Sequence, residues 1–418
     1  MHDFKYKNSK LYAENVPVER IAREIGTPVY IYSHDTFLRH LNAYKDAFDG
    51  RSHIICFALK ANSNLAILKL LAKNGSGADV VSGGELYLAL KAGIPAKKIV
   101  YAGVGKTDDE ITYALNSKIL MFNVESFDEL KAINRVAKKL NVKAPIALRV
   151  NPDIDPKTHP YISTGLKESK FGIPIKDALE HYALAKRLSN IEILGIHKHI
   201  GSQITQIRPF VDALKKILIL ADSLRAKGIN IKNLDIGGGL GIPYNNEEPP
   251  HPKDLSKAIL PLLNKYDFNL ILEPGRSIAG NAGILVTKAL YIKEHADKEF
   301  AVVDAGMNDL IRPSLYNAFH NIIPVKKNSR KKVSTDIVGP ICESGDFLGK
   351  NRTMNRVMPG DLLAVMSAGA YGFTMSSTYN SRPRIAEVIV KGDKYFVIRE
   401  REDNKVLERG IKIPEFLK

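Results

Sequence analysis

From residue 53 onward the chain alternates between short apolar runs and longer segments whose apolar residues recur every three or four positions. The runs are CFALK, GADVV, IVYAG, MFNVE, PIALRVN, ILGIHKHIGS, NLDIGGG and LILEPGR. Short, aliphatic and bounded by turn residues, they read as buried strands. Between them NLAILKLLAKNG, GELYLALKAG and DELKAINRVAKKLN carry helical periodicity, several ending on glycine or asparagine. Eight strands, each followed by a helical segment over roughly 240 residues, predict an α/β fold of the (β/α)8 TIM-like type. A doubly wound open sheet has the same periodicity and is the alternative.

Near residue 280 the texture changes. Helical spacing fades, and GILVTKALYIKE, FAVVDAG, DIVG, LLAVM, RIAEVIV and KYFVIRE follow one another between Gly, Pro, Asn and Asp. This predicts an all-β barrel or sandwich domain. YIYS, behind the turn signal GTP, is a further short strand with no place in the barrel count. The expected organisation is a barrel over 36–279 and a β domain made from 1–35 and 280–418, with the N-terminal strand paired into the latter.

The chain has 418 residues, 44% of them hydrophobic, enough for a large core. Its formal charge of +16 raises the question of nucleic acid. The lysines, however, are scattered along helical segments without an arginine–aromatic block, so the charge reads as a solvated face and nucleic-acid binding is not expected. Cys56 and Cys342 are the two cysteines. Far apart in sequence, they argue against a disulfide framework and suit a reducing, cytoplasmic setting. No run approaches membrane-spanning length and the N-terminus lacks an apolar signal region, so no membrane association is expected.

In a (β/α)8 barrel, chemistry gathers where strands end. Polar residues recur there: Lys60, Asp79, Arg149, His199, Gly237 to Gly239, and Glu273 to Arg276. Lys60, at the end of HIICFALK, is expected to be desolvated, which would lower its pKa and leave an amine able to attack a carbonyl. A lysine extending to the surface is the plainer explanation of one such residue. DIGGGLG allows close backbone approach and offers N–H groups ahead of a helix, a phosphate cradle. With Ile242 where a third glycine belongs, it is a poor dinucleotide motif. EPGR adds the carboxylate of Glu273 and the guanidinium of Arg276.

His197 and His199 share a strand face. An H-x-H pair can ligate metal in barrel hydrolases, but the other histidines show no ligand spacing. No metal is expected; His199 is read as a ring packed on a cofactor and His197 as structural. An amine, a phosphate cradle, a flat ring and a carboxylate together point to pyridoxal 5′-phosphate, with Lys60 bonding it and Glu273 facing the pyridine nitrogen.

The segments FALKAN, DVVSGGEL, RVNPD, KFGI, GIHKHIGSQ, LDIGGGLGIPY, EPGRSI, DAGMNDLIRPSLY, GPICESGD and GAYGFTMSSTYNSRPR together resemble the fold-type III pyridoxal-phosphate decarboxylases, in their family order over nearly the whole chain. The resemblance implies a barrel plus β domain, pyridoxal 5′-phosphate, and a homodimer with shared active sites. It implies that Lys60 carries the cofactor, that His199 stacks on its ring and that Glu273 partners the ring nitrogen. Ser202, Gly237, Gly238, Gly239, Gly275, Arg276 and Tyr371 resemble the phosphate contacts. Arg276, Arg312 and Tyr316 resemble binders of a distal substrate carboxylate, with Tyr371 also at the substrate. Cys342 resembles a proton donor and Glu343 a reader of a distal ammonium, both reaching into the neighbouring subunit. Asp79, Glu85 and Arg149 are supporting candidates, and Cys56 belongs to the core. The implied reaction is decarboxylation of meso-2,6-diaminopimelate at its D-centre to L-lysine. The alternatives are decarboxylation of ornithine, arginine or carboxynorspermidine, and a non-catalytic cofactor-binding regulator.

Overall fold

Each of the eight apolar runs forms a strand in the computed structural model, which describes residues 2–155, 170–295 and 298–417. They are β1 (His53–Ala58), β2 (Gly77–Val80), β3 (Ile99–Tyr101), β4 (Met121–Val124), β5 (Ala144–Asn151), β6 (Ile191–His197), β7 (Asn233–Asp235) and β8 (Asn269–Leu272). Each is parallel to the next, and β8 pairs back onto β1, so the eight strands close on themselves; the short strand Ile173–Pro174 adds onto the end of β5. The open-sheet alternative is thereby excluded. Barrel strands are covered on both faces, which is why these runs are continuously apolar.

The intervening helices start where local chemistry dictates. Asn64, Ser82, Thr107 and Ser126 each accept a backbone N–H at the head of the helices Leu65–Lys73, Gly83–Lys91, Asp108–Asn116 and Phe127–Lys139. A cap of this kind is worth about 1 kcal/mol. Inside the barrel, Cys56, Val100, Met121, Ala147 and Ile271 pack as one apolar layer. Burial pushes the Cys56 thiol well up, so it is an inert core residue.

One irregularity positions the functional end. Along β6 the pairing with β5 runs Ile193↔Ile146 and then Gly195↔Ala147, so Leu194 is an inserted residue. A Cβ at Gly195 would lie 2.7 Å from the Asn233 carbonyl oxygen, and only glycine allows β7 this close. The buried Tyr182 hydroxyl donates to the Gly195 carbonyl at 2.8 Å. Beyond the bulge, regular pairing resumes and His197 lies level with Arg149 on β5 and Asp235 on β7.

The chain divides into two compact units, residues 37–278 and residues 1–36 with 279–418. In the second, the fully buried strand Val29–Ser33 lies between Gly283–His295, antiparallel to it, and Ala386–Lys391, parallel to it. The sheet continues through Lys298–Val303, Lys332–Val338 and Phe347–Asn355 on one side and Lys394–Arg399 on the other. Leu362–Val365 pairs with both Gly283–His295 and Ile322–Pro324. Val29 and Ile31 pack with Ile284, Val286, Ala364 and Val388 in the core of this unit. Tyr32 donates to buried Glu387 at 2.7 Å, anchoring the N-terminal strand by a polar bond as well.

Tyr182→Phe should remove the partner of the Gly195 carbonyl at almost unchanged volume. An unsatisfied buried acceptor costs about 1–3 kcal/mol. The expected outcome is a lower urea midpoint with unchanged slope; an unchanged midpoint would show that the bulge holds without this bond.

Candidate active site

At the C-terminal ends of the barrel strands the polar residues converge. β1 passes into a tight turn, Leu59–Ala61, which carries Lys60. Its ammonium lies 2.7 Å from Asp79 Oδ2 at the end of β2. In the single chain the Lys60 side chain, carried on the turn beyond the strand, is 39% exposed. Asp79 is the buried member of the pair. Burial, reinforced by the charge of Glu273, raises its carboxyl against the pull of Lys60. Glu85 accepts the Val81 N–H at 2.8 Å and is pushed up to about 7 by burial.

Opposite, three strand ends bring His197, Asp235 and Glu273 together, with ligand atoms within 4.8 Å of one another and all buried. His197 Nε2 lies 3.3 Å from Glu273 Oε2. Asn123, buried at the end of β4, donates from Nδ2 to both Asp235 Oδ2 and Glu273 Oε1, each at 3.1 Å. Burial pushes the Asp235 carboxyl well above the usual carboxylate range, and the neighbouring Glu273 charge adds to this. Burial acts on Glu273 in the same direction, but bonded His197 and nearby Lys60 outweigh it and hold that carboxyl below its usual range. Within this coupled pair Asp235 is shifted toward its protonated form and Glu273 toward its carboxylate form. His197, read from the sequence as structural, contacts the Glu273 carboxyl here.

The glycine run packs against its neighbours instead of opening toward a helix. Gly237 and Gly239 adopt φ of 66° and 115°. A Cβ at Gly238 would fall 2.1 Å from the Glu273 carbonyl oxygen, and one at Gly239 would fall 2.5 Å from that of Gly201. The expected supply of N–H groups ahead of a helix is corrected in two respects. The Gly237 N–H goes to Asp235 Oδ1 at 2.9 Å and the Gly238 N–H to His199 Nδ1 at 3.2 Å. The next helix starts only at Pro252. These glycines bring backbone and ring together, since the His199 Nδ1 that accepts Gly238 leaves the ring proton on Nε2. Burial, with the Arg149 and Lys60 charges, holds His199 well below the usual histidine value, so its ring is neutral.

Positive charge is supplied from two other directions. Arg276, buried just past β8, donates to Ser202 Oγ through Nε (3.2 Å) and Nη2 (3.1 Å), and to the Tyr244 hydroxyl through Nη1 at 2.6 Å. Gly275 packs where a Cβ would meet the Ala58 and Ala61 methyls at 3.1 Å. Arg149 pairs with Glu125 at 2.9 Å and lies over the Phe171 ring. Glu125 also accepts the Gly103 and Gly172 N–H groups, so this buried pair fixes the loops after β3 and β5.

The remaining candidates lie in the second unit. Arg312 is buried at the head of the short helix Arg312–Tyr316 and bonds His320. Tyr316, partly buried, ends that helix. Cys342 and Glu343 are exposed in a turn closed by Asp346, which accepts the Ile341 N–H and also the Met307 N–H of a separate segment, each at 2.7 Å. Ser314, on the Arg312 helix, donates to the Gly345 carbonyl at 2.6 Å and ties the two segments together. Tyr371 has φ of 56°, a left-handed conformation uncommon for a tyrosine and held by its surroundings. Asn123, Asp235, Glu125 and His320 were not among the expected site residues. The first three are polar interruptions at apolar strand ends, a signal present in MFNVE and NLDIGGG.

The barrel residues fit pyridoxal phosphate: a cation and a hydroxyl for an anion, a neutral flat ring, an ionised buried carboxylate, and an amine beside an acid. Among the described residues buried Asp79 Oδ1 has no protein partner, a further polar atom suited to a bound group. These features define a pyridoxal-binding barrel. Residues 34–280 match the family described as pyridoxal-dependent decarboxylase, pyridoxal binding domain. A diaminopimelate decarboxylase of Aquifex aeolicus is 55% identical over 96% of this chain and 95% of its own length. The crystal structure of diaminopimelate decarboxylase from Helicobacter pylori complexed with L-lysine superposes with TM-score 0.91 at 48% identity, over 94% of this chain and 98% of that one. The M. jannaschii diaminopimelate decarboxylase in co-complex with L-lysine gives 0.95 at 41% identity, over the full length of both. The chain belongs to the pyridoxal-dependent decarboxylases, in the branch of the diaminopimelate decarboxylases, and its cofactor is pyridoxal 5′-phosphate.

Gly238→Ala would drive a methyl into the Glu273 backbone. A fold that persists with at least about tenfold weaker pyridoxal phosphate binding is expected, because misplacement by about 1 Å at such a site typically costs that much or more. Titration of the apoprotein measures it; wild-type affinity would refute the close-packing argument.

Proposed function

We propose that this protein decarboxylates meso-2,6-diaminopimelate at its D-centre, yielding L-lysine and carbon dioxide. The observation that carries the reading is the extent of the similarity: it runs through both units, over 96% of the chain, to proteins named for this reaction. The barrel alone would serve other members of the family.

Bound pyridoxal phosphate supplies the sink for the electron pair left at Cα when carbon dioxide departs. In this reading, Lys60 is the amine that bonds the cofactor, held at its strand end by Asp79. Arg276 and Ser202, with Gly239, Gly275 and Tyr371, hold the phosphate, and Gly237 and Gly238, whose N–H groups go to Asp235 and His199, let the backbone come close to it. The neutral His199 ring covers one cofactor face, and Glu273, kept ionised by His197 and Asn123, maintains a proton on the pyridine nitrogen. Arg276, Arg312 and Tyr316 bind the substrate's distal carboxylate, Glu343 reads the distal ammonium, and Tyr371 also lines the substrate. Cys342 delivers a proton to Cα.

We assign the protein to the cytoplasm as a homodimer in which Cys342 and Glu343 act in the partner's site. Both cysteines are unpaired, which suits a reducing compartment. Exposure of Cys342 and Glu343 in the single chain leaves them available to a second copy.

The reaction is tested by supplying the purified holoenzyme with meso-diaminopimelate, ornithine and arginine. Lysine and carbon dioxide from the first, with no comparable turnover of the others, is expected; preference for ornithine or arginine would overturn the reading. The shared site is tested with Lys60→Ala and Cys342→Ala, each inactive alone. After subunit exchange of equal amounts, about half the dimers are mixed and one of their two sites is intact, so roughly a quarter of wild-type activity should return. No recovery, with exchange shown by a tag, would place both residues in one chain's site.

A further inference from the structure

Arg312 is buried, an expensive place for a guanidinium unless its donors are met. A histidine brought back under it by the chain path meets one of these donors. The helix Arg312–Tyr316 ends at Asn317 in the left-handed region, φ 49°, and the Asn317 N–H returns to the Arg312 carbonyl. The chain doubles back so that His320, fully buried, sets Nε2 at 2.7 Å from Arg312 Nη1. Its Nδ1 lies 2.8 Å from the Met366 carbonyl oxygen.

The two partners decide the state of the ring. A carbonyl can only accept and a guanidinium can only donate. His320 therefore carries its proton on Nδ1 and offers the bare Nε2 lone pair to Arg312; a doubly protonated ring would aim an N–H at a cation. The acceptor is held in place, because Ile322 pairs with Val365 and the Met366 N–H donates to the Asn321 carbonyl at 2.8 Å. The sheet thus fixes Met366, Met366 fixes the ring, and the ring fixes one edge of the guanidinium.

We propose that His320 is a positioning residue that aims Arg312 at the distal carboxylate of the substrate, and so helps select an amino acid with a distal carboxylate over a plain diamine. The inference rests on the role given to Arg312 above. A guanidinium recognises a carboxylate through two parallel N–H bonds, and that fork discriminates only if its plane is held. His320 acts on binding; bond breaking at Cα is not its task.

Two amides separate aim from mere support. A glutamine at 320 reaches the position of Nε2 and can offer a carbonyl oxygen to Arg312. An asparagine reaches only the position of Nδ1; it can donate to Met366 but stops short of Arg312. His320→Asn is expected to raise the diaminopimelate KM about tenfold, the scale of one charge-assisted hydrogen bond, with kcat changed less than about threefold. L-Lysine, which retains the distal carboxylate, should inhibit about tenfold more weakly, whereas cadaverine, which has none, should inhibit as before. His320→Gln should recover KM to within about threefold of wild type. Equal behaviour of the two amides, or weakening of cadaverine together with lysine, overturns the proposal. Arg312→Lys guards against loss of folding at 320: it keeps the charge without the fork and should give the same split between lysine and cadaverine, and an unchanged KM overturns the proposal as well. Arg312→Ala separates the layers. If it leaves KM unchanged, the role of Arg312 itself fails; if it raises KM while His320→Asn does not, only the aiming role fails.

Discussion

Two carboxyl groups and an imidazole are enclosed together at one end of the barrel, and the active site depends on how that burial is resolved. An isolated ion in such a place costs several kcal/mol. Here burial shifts Asp235 toward its protonated form, bonded His197 and nearby Lys60 hold Glu273 toward the carboxylate, and Asn123 bridges the two carboxyls. The distribution requires β4, β6, β7 and β8 to end at one level. The bulge at Leu194 and the bare Cα of Gly195 let β6 and β7 meet there. Asp235 also takes the Gly237 N–H, so the group that sets the charge at one end of the cofactor site shapes the backbone of the other.

Close approach, more than open N–H groups, is what the three successive glycines provide. Their backbone lies against the Glu273 and Gly201 carbonyls at distances no side chain tolerates. Through Gly238, the same contact orients His199 and sets its tautomer. Positive charge comes instead from Arg276, whose fork is spread between Ser202 and Tyr244. Beside it stands one half-buried lysine paired with one buried acid.

A related use of a neutral histidine recurs in the second unit. His199 accepts a backbone N–H and is neutral because it is buried among cations; His320 accepts from a guanidinium and is neutral because both its partners have fixed roles. In each case a backbone group holds the imidazole: the Gly238 N–H for His199 and the Met366 carbonyl for His320.

The barrel class was legible in the sequence because strands buried on both faces must be apolar throughout, and turns and caps punctuate them locally. The polar residues at strand ends could be found for the same reason: a charge in an apolar run stands out. Lys60, His199, Glu273 and Arg276 were all visible in this way. The exposure of Lys60 was not, since it depends on one tight turn, nor was the engagement of the Gly237 and Gly238 N–H groups. Asn123 meets Asp235 and Glu273 across 112 and 150 residues, and His320 takes its tautomer from Met366, 46 residues on. Periodicity reports which face of an element is buried, a property of neighbours in the chain. Which buried groups share a proton or a hydrogen bond is a property of neighbours in space, and only closure of the barrel and pairing of the second sheet decided it.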